Sequence, residues 1–179
     1  MLVVNLFGAP GAGKSTGAAY VFSKLKMAGV NAELVTEFAK DKVWEDSYSA
    51  FRNQTYIFGE QYFRISRLEN KVDVVVTDSP LLLSSFYNKN DMIYEELDAL
   101  VDKVFKSYVN LNVFIDRTKG YNPVGRLHTE SESNKLTDDL KVFLKRHNVC
   151  CTHYTGTQEG YDELTSDILT LLRIGEPHD

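Results

Sequence analysis

The chain has 179 residues, of which 43% are hydrophobic and 25% charged, with a formal net charge of −5. That length can bury a full core without staples, and we expect one domain over 1–179. Net acidity argues against a broad nucleic-acid-binding surface while leaving room for a local basic groove, and no apolar run approaches the roughly 20 residues of a membrane span.

Leu2 to Phe7 is an apolar run that predicts a first strand. It leads into Gly8-Ala9-Pro10-Gly11-Ala12-Gly13-Lys14-Ser15, which fills G-x-x-x-x-G-K-[ST] with no mismatch. A helix over 14–28 follows, with apolar positions at Ala18, Ala19, Phe22 and Leu25. Strand, glycine loop and helix N-terminus in that order suit a triphosphate. Backbone N–H groups turn inward around the phosphates, and the helix dipole favours the anion. Lys14 would reach the β- and γ-phosphates of ATP, Ser15 would ligate Mg²⁺, and Gly8 through Thr16 would make the nucleotide contacts.

A second strand over 32–36 delivers Glu37, followed by Asp41 and by Trp44, the single tryptophan. A carboxylate there can orient or deprotonate an attacking hydroxyl while an aromatic walls the acceptor pocket, with Asp41 in reserve. The bland alternative is a solvated acid and a packing tryptophan. The helix expected over 48–69 carries Phe51, Thr55, Phe58, Tyr62 and Ile65 at core spacing. Its neighbours Gln54, Gln61, Arg64 and Arg67 suit base reading and phosphate holding. A third strand over 72–77 ends in Asp78, placed to hold Mg²⁺ beside the phosphate loop. Asp78 could equally cap the helical turn expected over 81–87, with Ser79-Pro80 after it.

A helix over 92–107 and a fourth strand over 111–116 come next. The strand reads NVFID over 112–116, not the N-K-x-D of guanine recognition. Residues 117–132 are polar, contain Gly120, Pro123 and Gly125, and predict a lid or binding loop. Arg117 and Arg126, with Lys119 and Tyr121 nearby, would neutralise charge on the transferred group. Otherwise they make a solvated loop paired to Glu130 or Glu132. A helix over 133–147, a strand over 150–155 and a helix over 159–173 complete the alternation. The adjacent Cys150 and Cys151 should face opposite ways as free thiols, which points to a reducing compartment. His128, His147, His153 and His178 have no metal-ligand spacing. No signal peptide is expected, since the first strand begins at once, and the expected location is cytoplasmic. Together these elements predict an α/β fold with a five-stranded parallel sheet, helices on both faces and a lid after the fourth strand.

The chain resembles the small phosphate-loop kinases and ATPases of tailed bacteriophages. The resemblance rests on Asn5 through Ser15, Val35 through Asp41 with Trp44, Val74 through Leu83, and Tyr121 through Arg126. It implies the P-loop NTPase fold, ATP and Mg²⁺. Some members are similar to kinases that phosphorylate 5-hydroxymethyl-pyrimidine bases in phage DNA. The layout also resembles deoxynucleoside kinases, which carry a Glu and then a Trp after the second strand and arginines in the lid. By that likeness Glu37 is the base, and Arg117 and Arg126 are the lid cations. Phe38 stands where those kinases usually have proline, and Thr77-Asp78-Ser79 where they have an acid-Arg-Ser triplet. The expected function is therefore transfer of the ATP γ-phosphate to a hydroxyl of a nucleoside, a nucleotide or a modified base in DNA. An acceptor-independent ATPase is the alternative. A ring ATPase is disfavoured because the chain is short for the added helical domain, and an oligomer is possible but not indicated.

Overall fold

Every residue of the first strand is buried, and that strand lies at the centre of the sheet. The structure, a computed structural model, describes residues 1–88, 92–118, 120 and 130–174. In chain order the elements are β1 (Leu2–Phe7), α1 (Lys14–Met27), β2 (Ala32–Val35), α2 (Phe38–Trp44), a 3-10 turn (Tyr48–Arg52) and α3 (Gln54–Ser66). Then come β3 (Val74–Thr77), α4 (Leu83–Tyr87), α5 (Tyr94–Lys106), β4 (Val109–Asp116), α6 (Glu130–Arg146), β5 (Thr152–Thr155) and α7 (Gln158–Ile174). The strands lie in the order β2-β3-β1-β4-β5, all parallel.

The near-continuous apolar strands follow from cover on both faces. Side chains alternate, so Leu2, Val4 and Leu6 pack against Val21 and Leu25 of α1 and Leu164 and Ile168 of α7. Val3 and Phe7 join the opposite core with Phe58 and Ile65 of α3, Val101 of α5 and Phe143 of α6. Asn5 interrupts this pattern. It is fully buried, and its Nδ2 donates to the Oδ1 atoms of Asn110 at 2.8 Å and Asn112 at 3.1 Å. A one-residue slip of β4 would lose both bonds, so the pair pins the register.

The predicted parallel sheet with helices on both faces is what the chain forms, with shifted ends. The helix expected over 48–69 is divided at Asn53, whose side chain accepts from the Tyr56 N–H at 3.0 Å and caps α3. Helix α2 was not anticipated. With seven residues it is too short to show a period. β3 begins two residues later than expected, β4 two earlier, and α6 starts at Glu130 rather than at 133. Cys150 is exposed and Cys151 half-buried, both are free, and burial pushes the Cys151 thiol up to about 12. Among the described residues no helix is long and apolar enough to cross a membrane.

Candidate active site

The loop after β1 is a cradle that side chains would fill. Gly8 has φ +144°, and a Cβ there would stand 2.8 Å from the Ile115 carbonyl oxygen of β4. Gly13 has φ +100° and serves as the N-cap of α1, where a Cβ would run into the Tyr161 hydroxyl. Being glycine, it brings no side chain to cap α1, and no acid lies in the first turn. The first N–H groups of α1 are therefore open to an anion, as a phosphate site requires. Lys14 Nζ donates to the carbonyls of Gly8 at 2.7 Å and Ala9 at 3.3 Å, folding over the loop it would serve.

Two side chains from the far end of the chain fasten the outer side of this loop. Tyr161 of α7 donates its hydroxyl to the Gly13 carbonyl at 3.0 Å. Ser133 of α6 donates to the Pro10 carbonyl at 2.6 Å. Neither has a local sequence signal, because each partner is more than a hundred residues away along the chain.

Parallel pairing brings the acidic candidates to the same sheet edge. Thr77 of β3 pairs with Asn5 of β1 and Val35 of β2, so Asp78 and Glu37 emerge beside the phosphate loop. A cavity of about 290 Å³ joins them there, lined by Ser15, Glu37, Asp78, Lys40, Asp41 and Trp44 among others. Trp44 is 66% exposed, so it stands at the cavity rim and is not a core residue. Asp78 is the opposite case at 3% exposed, and its Oδ1 is buried with no hydrogen-bond partner among the described residues. An orphaned buried carboxylate oxygen is costly unless something else satisfies it. With the Ser15 hydroxyl on the same cavity, these hard oxygen donors fit Mg²⁺, which favours such ligands alongside phosphate and water.

Glu37 is the N-cap residue of α2, yet its carboxylate makes no cap bond. Gln61 of α3 takes that duty. Its Oε1 accepts from the Phe38 N–H at 2.9 Å and its Nε2 donates to the Thr36 carbonyl at 3.4 Å. The Glu37 carboxylate is thereby left to the cavity. Burial raises its pKa above 4.5, the nearby Asp78 and Asp41 add to the rise, and Lys14 and Lys40 oppose it. A carboxylate raised this way is better matched to taking a proton near neutrality. Tyr87, at the end of α4, feels the same charge. Burial first and the Glu37 charge second push its phenol up to about 12, so its hydroxyl stays neutral.

Other candidates take different positions. Gln61, a candidate for base reading, has both ends of its amide on the backbone of Phe38 and Thr36. Arg64 pairs with Asp41 at 2.5 Å and donates to the Thr36 carbonyl at 3.4 Å, which commits both residues to the wall of the site. Gln54 donates to the Phe51 carbonyl at 3.2 Å. Arg117 leaves β4 and donates to Ser133 Oγ at 3.4 Å and to Asn134 Oδ1, alongside the phosphate loop. Arg126, Lys119 and Tyr121 lie outside the described residues.

The model of the AAA domain family matches residues 3–159. No curated protein sequence matches the chain. Among solved structures, a deoxyadenosine kinase from M. mycoides with bound dATP superposes with a TM-score of 0.62 at 16% identity, over 94% of this chain and 99% of that one. A shikimate kinase from Acinetobacter baumannii in complex with shikimate gives a TM-score of 0.56 at 16% identity, over 98% and 95% of the two chains. These likenesses show a shared fold, the five-stranded parallel sheet between helices that carries the phosphate loop.

Proposed function

The chain belongs to the AAA domain family, and on that premise we propose that it is a kinase moving the γ-phosphoryl group of ATP to a hydroxyl of a small, nucleoside-type acceptor. The observation that carries this reading is the single cavity that joins Ser15 and Asp78, at the phosphate end, to Glu37 and Trp44, where an acceptor would lie. An ATPase could use the acid to orient water, but it has no need of an exposed aromatic beside it. The fold neighbours are kinases named for deoxyadenosine and shikimate, both small hydroxylated molecules. An acceptor within long DNA is less well served, because Lys42 and Arg64, which would flank a strand, are paired with Glu45 and Asp41.

In this reading the triphosphate occupies the loop from Gly8 to Thr16. Lys14 exchanges the Gly8 and Ala9 carbonyls for the β- and γ-phosphates. Ser15 and Asp78 hold Mg²⁺, which when bound neutralises phosphate charge. Glu37 takes the acceptor hydroxyl's proton as the new oxygen–phosphorus bond forms at the γ-phosphate. The bond to the β–γ bridging oxygen breaks, and ADP leaves. Arg117, joined by Arg126, stabilises charge on the group in transit.

ADP release measured with ATP and Mg²⁺, alone and with nucleosides, nucleotides, polyols such as shikimate, and hydroxymethylated DNA, tests this. A nucleoside or nucleotide should raise the rate about tenfold or more over the background. Fast turnover that no acceptor changes would make the protein an ATPase, and stimulation by the modified DNA alone would move the acceptor into a polynucleotide.

A further inference from the structure

Ser133 is fully buried in the first turns of α6, and its hydroxyl does not serve its own helix. A serine near a helix start ordinarily caps a free N–H or bonds back to the preceding turn, as Thr137 does to the Ser133 carbonyl at 3.1 Å. Ser133 reaches across to the phosphate loop. Its one proton goes to the Pro10 carbonyl at 2.6 Å, and its lone pairs take the Arg117 Nη1–H at 3.4 Å. The peptide joining Pro10 to Gly11 is planar, so the Gly11 N–H points opposite to the Pro10 carbonyl. Fixing that carbonyl outward toward α6 fixes the Gly11 N–H inward toward the phosphates. The same oxygen accepts from one arm of the guanidinium that leaves β4, whose other arm donates to Asn134 Oδ1.

We propose that Ser133 is a positioning residue for phosphoryl transfer, setting one N–H of the phosphate cradle and, together with Asn134, the orientation of the Arg117 lid cation. The proposal rests on the kinase reading above. It predicts two separable effects, one on nucleotide affinity through Pro10 and one on rate through Arg117.

The test uses Ser133→Ala, Ser133→Thr, Arg117→Ala and the Ser133→Ala/Arg117→Ala double variant. Affinity for a non-hydrolysable ATP analogue with Mg²⁺ is measured by calorimetry, and ADP release at saturating ATP gives the rate. Ser133→Ala should weaken the analogue about tenfold and slow release about tenfold, the scale of a lost oriented hydrogen bond. Ser133→Thr, which keeps the hydroxyl, should return both to within about threefold of the parent. In the Arg117→Ala background the affinity loss should persist while the rate falls no further, since the rate effect runs through Arg117. Parent-like affinity in a folded Ser133→Ala, an equal loss in Ser133→Thr, or rate losses that multiply would each overturn the proposal. Should Ser133→Ala fail to melt cooperatively, Ser133→Cys, a similar volume with a poorer donor, is read on the same two scales. A parent-like rate in Arg117→Ala would remove the lid reading instead, and calorimetry on the Ser133 variants would still judge the Pro10 bond.

Discussion

At Glu37 the role proposed above and the needs of stability oppose each other. Its pKa is raised in the folded protein, chiefly by burial, so there is a pH window above 4.5 in which the folded chain keeps a proton that the unfolded chain has released. The stability linked to this group is full below that window and is lost as pH rises through it. Above the window the ionised carboxylate is a standing cost. Glu37→Gln should therefore raise the thermal midpoint near pH 8 and lose that advantage near pH 4. The same variant should slow acceptor phosphorylation about a hundredfold, the scale of a positioned base, with ATP affinity nearly unchanged. The acid limb of kcat/KM should lie above the ordinary carboxylate range in the parent and vanish in the variant. Equal midpoints at both pH values would identify Glu37 as a solvated acid. Glu37, Asp78 and the phosphate loop were legible in the sequence because each ends a strand or fills a local motif. Tyr87, Ser133 and the bracing role of Gln61 were not, since each depends on a partner brought near only by folding.

Between elements, the join of β2 to α2 decides where Glu37 points. Helix α2 starts without a side-chain cap of its own and borrows Gln61 from α3, while Arg64, one turn further along α3, holds Asp41 and the Thr36 carbonyl. Gln61→Ala would leave the Phe38 N–H to seek another acceptor, and the Glu37 carboxylate is the nearest in sequence. We expect acceptor-dependent turnover to fall about tenfold, as a displaced base would cause, with analogue affinity for ATP within twofold of the parent, roughly. A matching loss of ATP affinity would show instead that α3 supports the whole site and not this turn alone. The strands were the most legible elements, because cover on both faces leaves long apolar runs. The least legible was the stretch from α2 through the 3-10 turn to α3. There a polar residue, Asn53, ends one short element and starts another within a stripe whose spacing reads as a single helix.

For the whole molecule, the sheet order makes the phosphate loop a construction of distant segments acting together. Gly8 lies against Ile115 of β4, Gly13 against Tyr161 of α7, and Pro10 against Ser133 of α6. Nucleotide should bind the assembled state and not the unfolded chain, so ATP with Mg²⁺ at about a hundred times its dissociation constant should add about 2.7 kcal/mol of stability. For a protein of this size that is a rise of about 5–10 °C in thermal midpoint, readable by calorimetry, and Lys14→Ala should abolish most of it. An unchanged midpoint at saturating nucleotide would contradict the assignment of the loop. The central place of β1 has one more consequence, for synthesis on the ribosome. Strand β1 waits for β3 and then for β4 before both its edges are paired, since Leu2 pairs with Val74 and with Val109. Local helices can form early, but the middle of the sheet closes only through long-range contacts, which form slowly. A nascent chain thus carries its glycine loop before Ile115, Ser133 and Tyr161 have been made, and the cradle is complete only once these have docked.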